Sequence, residues 1–395
     1  MKIACYCQHV LGIGHFHRCL EICKALTKHH ETVMILGGPD LTLPESDIYF
    51  LQLPGLKMDA EFTELLPCEA GKDIHRIKQQ RQQQLFEFFL SFQPDVFLVE
   101  LYPFGRKAFR FELDPVLEGI ATGTLSPCIR LCSLRDILVE KTNRKKYESR
   151  VLNVLNNSFD GLLIHSDPEY IPLEKTFSQT DSISIPYRYT GFISPPPTAK
   201  EKGQQLREEL GLSQSDKLLV ASIGGGNVGA ELLQTTAEAA LLLKNMTHLH
   251  IHLFTGIYSD PGLQQELTRI NDENITIHNF SSNFQDWLTA ADLSISMAGY
   301  NTCMNLLSAG TTALLYPFAQ NREQSMRVSA LSKTSAFTLL APEDLVPSNL
   351  AEIIKSHLGR YKQKYSVQLN GAVQSRILIE NLTIWNREKH DIRPL

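Results

Sequence analysis

The chain has 395 residues with a formal net charge of −5; 43% of them are hydrophobic and 21% charged. That length carries two domains with separate cores, and the balance is that of an ordinary globular protein rather than a disordered or fibrous one. The charge excludes a global positive field for nucleic acid, and no window approaches the roughly 20 apolar residues of a membrane span.

The elements expected from the N-terminus alternate. Lys2 to Cys7 reads as a strand, Gly12-Ile13-Gly14-His15 as a loop, Phe16 to His29 as a helix and Thr32 to Leu36 as the next strand, closed by Gly37-Gly38-Pro39. After a variable stretch, Ile74 to Phe92 reads as a polar, Gln-rich helix. Asp95 to Glu100 is a continuous apolar strand, as expected where both sheet faces are covered. Cys128 to Cys132 and Gly161 to His165 follow as strands with the helix Lys141 to Asn157 between them. Ser194-Pro195-Pro196-Pro197 is a stiff connector, and after it the pattern restarts. Strands are expected at Lys217 to Ser222, His248 to Thr255, Ile275 to Asn279, Leu293 to Ser296 and Ala313 to Tyr316, with helices following them.

Two α/β units in tandem are therefore predicted, 1–195 and 198–368, each with right-handed crossovers. A last helix, about Leu369 to Asn386 within 369–395, is expected to pack back on the first unit.

The opening Met1 to Cys7 run is short and is broken by Gln8 and His9, unlike a secretory leader, so a cytoplasmic protein is expected. Its 8 cysteines contain no CxxC pair and read as free thiols. His248, His250 and His252 alternate along one strand face; a half-exposed face is the expectation there rather than a metal site.

In an open parallel sheet, ligands bind beyond the carboxyl ends of the strands, and this chain is rich in glycine there. The Gly12-Ile13-Gly14-His15 loop opens a helix, whose free N–H groups favour an anion; it lacks the third glycine of a dinucleotide fingerprint, near where Arg18 falls. His15 would sit at the helix start, able to accept a proton. Gly224-Gly225-Gly226-Asn227 lies between a strand and a helix, and exposed amides aimed at a diphosphate would give those glycines a purpose. Ser296 to Asn305 runs from a strand end through Ala298, Gly299, Asn301 and Thr302 into a helix, with Asn305 one turn beyond Asn301 and suited to a ribose hydroxyl. Pro317 to Gln324 follows the next strand with polar groups that could read sugar hydroxyls.

The early Gly-x-Gly-His loop resembles GT-B glycosyltransferases when taken with Ala298-Gly299-Tyr300-Asn301-Thr302, Leu306-Leu307-Ser308-Ala309-Gly310, Leu315-Tyr316-Pro317-Phe318 and Glu323-Gln324. The likeness is to predicted glycosyltransferases similar to the lipid II-forming N-acetylglucosaminyl transferase. Leu101 to Lys107 and Ser133 to Leu138 also look like motifs of that group, and the resemblance spans about residues 1 to 335. It implies two Rossmann-like domains with an interdomain cleft, the first for the acceptor and the second for a nucleotide sugar.

By that resemblance Gly14, the Gly224 to Asn227 loop and Ala298 to Thr302 hold the donor, Phe280 contacts the base, and Glu323 and Gln324 bind the donor sugar. The family's ribose carboxylate is here the neutral Asn305. His15 is the expected base, with Asp136 and Glu100 as alternatives, and Arg106, Lys107 and Arg135 would bind an anionic acceptor. The implied reaction is inverting transfer from a nucleotide-diphosphate sugar, with UDP the expected nucleotide and the donor a co-substrate rather than a cofactor. No metal is expected. The acceptor is a small molecule, a glycan or a lipid-linked molecule, and contact with a membrane surface is left open. A nucleotide-sugar 2-epimerase and a non-catalytic GT-B subunit are the competing readings.

Overall fold

The computed structural model of the chain describes residues 1–9, 14–41, 43–59, 64–226, 228–246, 248–270, 272–318, 322–358 and 366–385. Two compact units result, Met1–Ser194 with Asn370–Leu395, and Pro195–Leu369.

The first unit holds strands β1 (Lys2–Tyr6), β2 (Glu31–Leu36), β3 (Tyr49–Gln52), the hairpin β4 (Leu56–Met58) and β5 (Leu65–Pro67), then β6 (Val96–Glu100), β7 (Ile129–Arg135), β8 (Gly161–His165) and β9 (Tyr187–Tyr189). Seven of them form one parallel sheet in the order β3-β2-β1-β6-β7-β8-β9. Helices α1 (Gly14–Thr27), α2 (Ile74–Phe92), α3 (Arg110–Thr122) and α4 (Arg144–Ser158) cross between the strands. Alternate residues of β1 point to opposite faces. Ala4 and Tyr6 enter a core with Leu85 and Phe89 of α2 and Leu113 of α3, whereas Ile3, Cys5 and Cys7 enter another with Cys19, Cys23 and Leu26 of α1.

All eight cysteines are free. A hydrogen bond to Cys7 and burial push the Cys19 thiol up, and Cys5 and burial do the same for Cys23, so these thiols act as inert core.

Asp73 caps α2 by accepting from the His75 amide at 2.9 Å. The Gln-rich helix still buries a stripe: Ile77, Arg81, Leu85 and Phe89 recur every four residues on its inner side. Arg81 is fully buried in that stripe. Its guanidinium donates to Glu112 of α3 (2.8 and 2.6 Å), to the carbonyls of Gly37 and Pro54, and to Gln8 Oε1.

The C-terminal segment returns to this unit. Gly371 donates its amide to Phe192 O at 3.0 Å, and the helix Gly371–Glu380 packs on α1. Trp385, 2% exposed, donates its indole N–H to Leu378 O and lies against Gly161. A Cβ at Gly161 would lie 2.1 Å from the Trp385 ring. Gly161→Ala is therefore expected to cost about 1–3 kcal/mol through overpacking and to redden Trp385 emission. A urea melt in a Trp287→Phe background, where Trp385 is the remaining tryptophan, checks this; an unchanged midpoint and spectrum would mean the tryptophan is not seated there.

The second unit holds β10 (Lys217–Ser222), β11 (Leu249–Phe254), β12 (Ile275–His278), β13 (Leu293–Met297), β14 (Ala313–Tyr316) and β15 (Phe337–Leu339), all parallel, in the order β12-β11-β10-β13-β14-β15. Its helices are α5 (Lys200–Glu209), α6 (Ala230–Leu242), α7 (Pro261–Thr268), α8 (Phe284–Ala290), α9 (Tyr300–Ala309), α10 (Arg322–Leu331) and α11 (Pro347–His357). The alternating histidines at and just before β11 divide between two partners: His248 Nδ1 lies 2.9 Å from Asp216 Oδ1, and His252 Nδ1 lies 2.9 Å from His278 Nε2. Among the described residues no helix is long and apolar enough to cross a membrane.

Candidate functional site

In the first unit a polar cluster gathers at the carboxyl ends of β6, β7 and β8. Glu100 ends β6, pairs in register with Ser133, and is 1% exposed. Its Oε1 lies 2.6 Å from His15 Nδ1, and the Arg18 guanidinium contacts the same oxygen. Arg106 Nε stands 3.8 Å from Oε2. His15 is the second residue of α1, and its side chain is 23% exposed.

Burial alone would raise the Glu100 pKa; His15, Arg18 and Arg106 outweigh it and hold the carboxyl well below the usual carboxylate range. Burial, opposed by Glu100 and reinforced by Arg106 and Arg18, pushes His15 down to about 4. At neutral pH His15 is thus uncharged and Glu100 is a carboxylate. Nδ1–H donates to Glu100, which leaves the lone pair on Nε2.

His165, at the end of β8, is pushed down to about 3 by burial and then by Arg18. Both of its nitrogens are engaged, Nε2 with Ser133 Oγ at 2.6 Å and Nδ1 with Thr190 Oγ1 at 2.9 Å. It supports the cluster from within.

Three groups were expected to compete as the base. Glu100 is enclosed and ion-paired, and Asp136 is wholly buried with Oδ1 3.7 Å from Arg135 Nε. Neither faces solvent, whereas the His15 side chain is partly exposed. Arg106 adopts a left-handed backbone at φ 55°, and its side chain leans on Glu100. Arg135 is mostly buried, and Lys107 is exposed at the start of the 3-10 turn Lys107–Phe109. Gly14, the first residue of α1, is exposed, while Gly12 and Ile13 lie outside the described residues.

In the second unit the glycine loop after β10 bonds two of its amides internally. The Gly224 amide donates to Ser222 Oγ (3.1 Å) and the Gly226 amide to Ile223 O (3.4 Å). A Cβ on Gly226 would come within 2.6 Å of Ser259 N and Thr255 O, and Tyr258 donates its amide to Gly225 O. Close approach of the 255–259 backbone, together with positive φ at Gly224 (66°) and Gly226 (95°), is what demands glycine. The reading of those two amides as free diphosphate donors is corrected accordingly. A Cβ at Gly224 would meet nothing within 4 Å, so the loop keeps open space beside it. Asn227 lies outside the described residues.

The start of α9 is less crowded. Gly299 is its N-cap and supplies no side-chain hydrogen bond; a Cβ there would meet only Thr302 Oγ1, at 3.7 Å. The amide of the buried Ala298, by contrast, is bonded to Tyr316 O. Asn301, Thr302 and Asn305 are half-buried on this helix. Asn305 Oδ1 and Gln285 Oε1 are buried without hydrogen-bond partners among the described residues, and Gln285 Nε2 donates to the Asn305 carbonyl at 3.0 Å.

Phe280, just after β12, is 64% exposed and so lies outside the core. Glu323 is buried, and Gln324 Oε1 accepts from the Phe318 amide at 2.8 Å. Residues 319–321 between them are outside the described set.

Sequence reasoning passed over Arg18, His165 and Gln285. Arg18 had a signal, its i+3 spacing from His15 on one helix face. His165 and Gln285 had none, because their partners are distant in sequence.

Two parallel Rossmann-like sheets with these loops define the GT-B architecture. The solved Acinetobacter baumannii MurG matches at TM-score 0.59 and 16% identity, covering 96% of this chain and 99% of that one. A putative UDP-N-acetylglucosamine 2-epimerase from Listeria monocytogenes matches at TM-score 0.63 and 12% identity, covering 100% and 99%. At such identities the likeness speaks to fold alone.

The sequence profile of the glycosyltransferase family 28 C-terminal domain matches residues 220–377. A UDP-N-acetylglucosamine–N-acetylmuramyl-(pentapeptide) pyrophosphoryl-undecaprenol N-acetylglucosamine transferase of Caldanaerobacter subterraneus is 30% identical over 161 residues, 40% of this chain and 43% of that protein. The chain spans half or less of the length of the first such curated relatives. The protein thus has the GT-B fold, matches the family 28 C-terminal domain over residues 220–377 and resembles the lipid II-forming transferases.

Proposed function

We propose that the chain is a glycosyltransferase that moves a sugar from a nucleotide-diphosphate sugar, UDP-linked, to an acceptor hydroxyl with inversion. The observation that carries this is His15, held by Glu100 at 2.6 Å through Nδ1 and partly open to solvent. In the step, Nε2 takes the acceptor's hydroxyl proton as that oxygen bonds to the anomeric carbon. The bond from that carbon to the diphosphate oxygen breaks, and the electron pair leaves with the nucleotide. Amides and helix potential at the start of α9 stabilise that charge without requiring a metal.

Asn301, Thr302 and Asn305 line the donor side, and the exposed Phe280 offers a ring for the base to stack on. The unpartnered Asn305 Oδ1 is a neutral acceptor for a ribose hydroxyl. Arg106, with Lys107 and Arg135, favours an acceptor bearing an anionic group.

The test is a thermal-shift panel of UDP, GDP and dTDP sugars. A ligand at a hundredfold excess over Kd adds about 2.7 kcal/mol of stability, so UDP sugars should raise the Tm most. If no nucleotide diphosphate moves the Tm, the non-catalytic reading replaces this one. If a UDP-sugar incubated without acceptor gives the C2 epimer, the chain is an epimerase.

A further inference from the structure

We infer that Arg18 is a positioning residue for this chemistry: its guanidinium clamps the Glu100 carboxylate and so decides which nitrogen of His15 carries the proton. The inference rests on the reading of His15 as the base. Arg18 follows His15 by three residues on α1 and is 4% exposed. Its Nη2 touches Glu100 Oε1, the oxygen that accepts from His15 Nδ1, and stands 3.2 Å from Nδ1 itself. Two groups, His15 and Arg18, therefore converge on one oxygen.

An arginine keeps its proton at any working pH, so this contact keeps Glu100 anionic. An anionic oxygen 2.6 Å from Nδ1 requires a proton on Nδ1, because two lone pairs would otherwise face each other. Nε2 is then left as the acceptor. Among the ion pairs of Glu100, the remaining cation, Arg106, is 3.8 Å from the other oxygen. His165 cannot take over the role, since Ser133 and Thr190 occupy both of its nitrogens. Without Arg18, Glu100 takes up a proton more readily and donates it in a hydrogen bond to His15 Nδ1. That change moves the His15 proton to Nε2 and removes its lone pair.

The experiment reads the proton directly. The full chain is labelled with 15N-histidine, the His15 signals are assigned with His15→Gln, and two-bond proton–nitrogen spectra are recorded at pH 7. Wild type should show the Nδ1–H tautomer. Arg18→Gln should populate the Nε2–H tautomer and raise the His15 midpoint, since a nearby cation is lost. Arg18→Lys keeps the charge and should keep the wild-type pattern.

A folded Arg18→Gln protein with wild-type tautomer and midpoint overturns the assignment, and so does an Arg18→Lys protein that loses the tautomer. If Arg18→Gln does not fold, the lysine variant decides alone, retention supporting the assignment and loss overturning it. The spectra need neither donor nor acceptor. Failure of sugar transfer would therefore sink the proposed function without touching this result.

Discussion

Replacing His15 by alanine should slow UDP release from a UDP-sugar, with water as acceptor, by about 10²- to 10⁴-fold, the usual worth of a positioned general base. The rise in Tm caused by UDP should stay as in wild type. The split follows from where the residue sits: His15 belongs to the first unit's cluster with Glu100, Arg18 and Arg106, while the groups assigned to the nucleotide lie on β12, α9 and their loops. The same argument fixes a pH limb. Burial and two arginines push His15 down to about 4, so the free base persists above that pH. Wild-type turnover should hold from pH 7 to about 5 and fall as the pH drops through 4, where His15 takes up a proton. A UDP-release assay over that range measures both effects. Unchanged turnover in the alanine variant would place the base elsewhere.

The largest effect on stability should come from Arg81→Ala, a loss of about 3–5 kcal/mol, because removing one member of a buried pair leaves the other charge uncompensated. Arg81 and Glu112 are both fully enclosed, and the guanidinium also satisfies the carbonyls of Gly37 and Pro54 and the Gln8 side chain. Alanine would leave all of these without that donor and open a void in the core beneath β1 and β2. The loss should appear as a lower urea midpoint for Trp385, the tryptophan of the first unit. Trp287, on α8 of the second unit, should report less of it. A Trp385 midpoint within 1 kcal/mol of wild type would show that the pair is not structural.

Much of the fold was legible because parallel strands covered on both faces spell themselves as apolar runs. Val96 to Val99 is such a run, and so is Leu218 to Ala221. The strands β3, β4 and β5 were not legible, being three or four residues long, half-exposed and without a clear period. Helix α3 was missed as well; Pro115 inside it and the buried Glu112 blur its apolar face.

The site divides along the same line. His15 and the Gly299 to Asn305 stretch stood out as candidates because glycine, a helix start and a polar side chain adjoin in sequence. The cluster around Glu100 was not, because it joins residues from α1, β6 and the loop beyond β6 that meet only once the sheet forms. The glycines at 224 and 226 were read as ligand contacts, whereas Gly226 accommodates a neighbouring backbone segment and Gly224 a left-handed turn. Local spacing cannot tell one kind of close approach from the other.

The seat of Trp385 against Gly161 bears on biosynthesis. The first sheet is translated early, yet the residues that cover its Gly161 region, 370–385, leave the ribosome only after the whole second unit. At ordinary elongation rates that interval is on the order of ten seconds or more. Through it, the nascent N-terminal half carries an uncovered apolar seat, while the second unit has every strand of its own sheet in hand and can finish first. Native packing is then completed from the tail backwards, and a ribosome that stalls before residue 370 releases a chain with that seat open to chaperones.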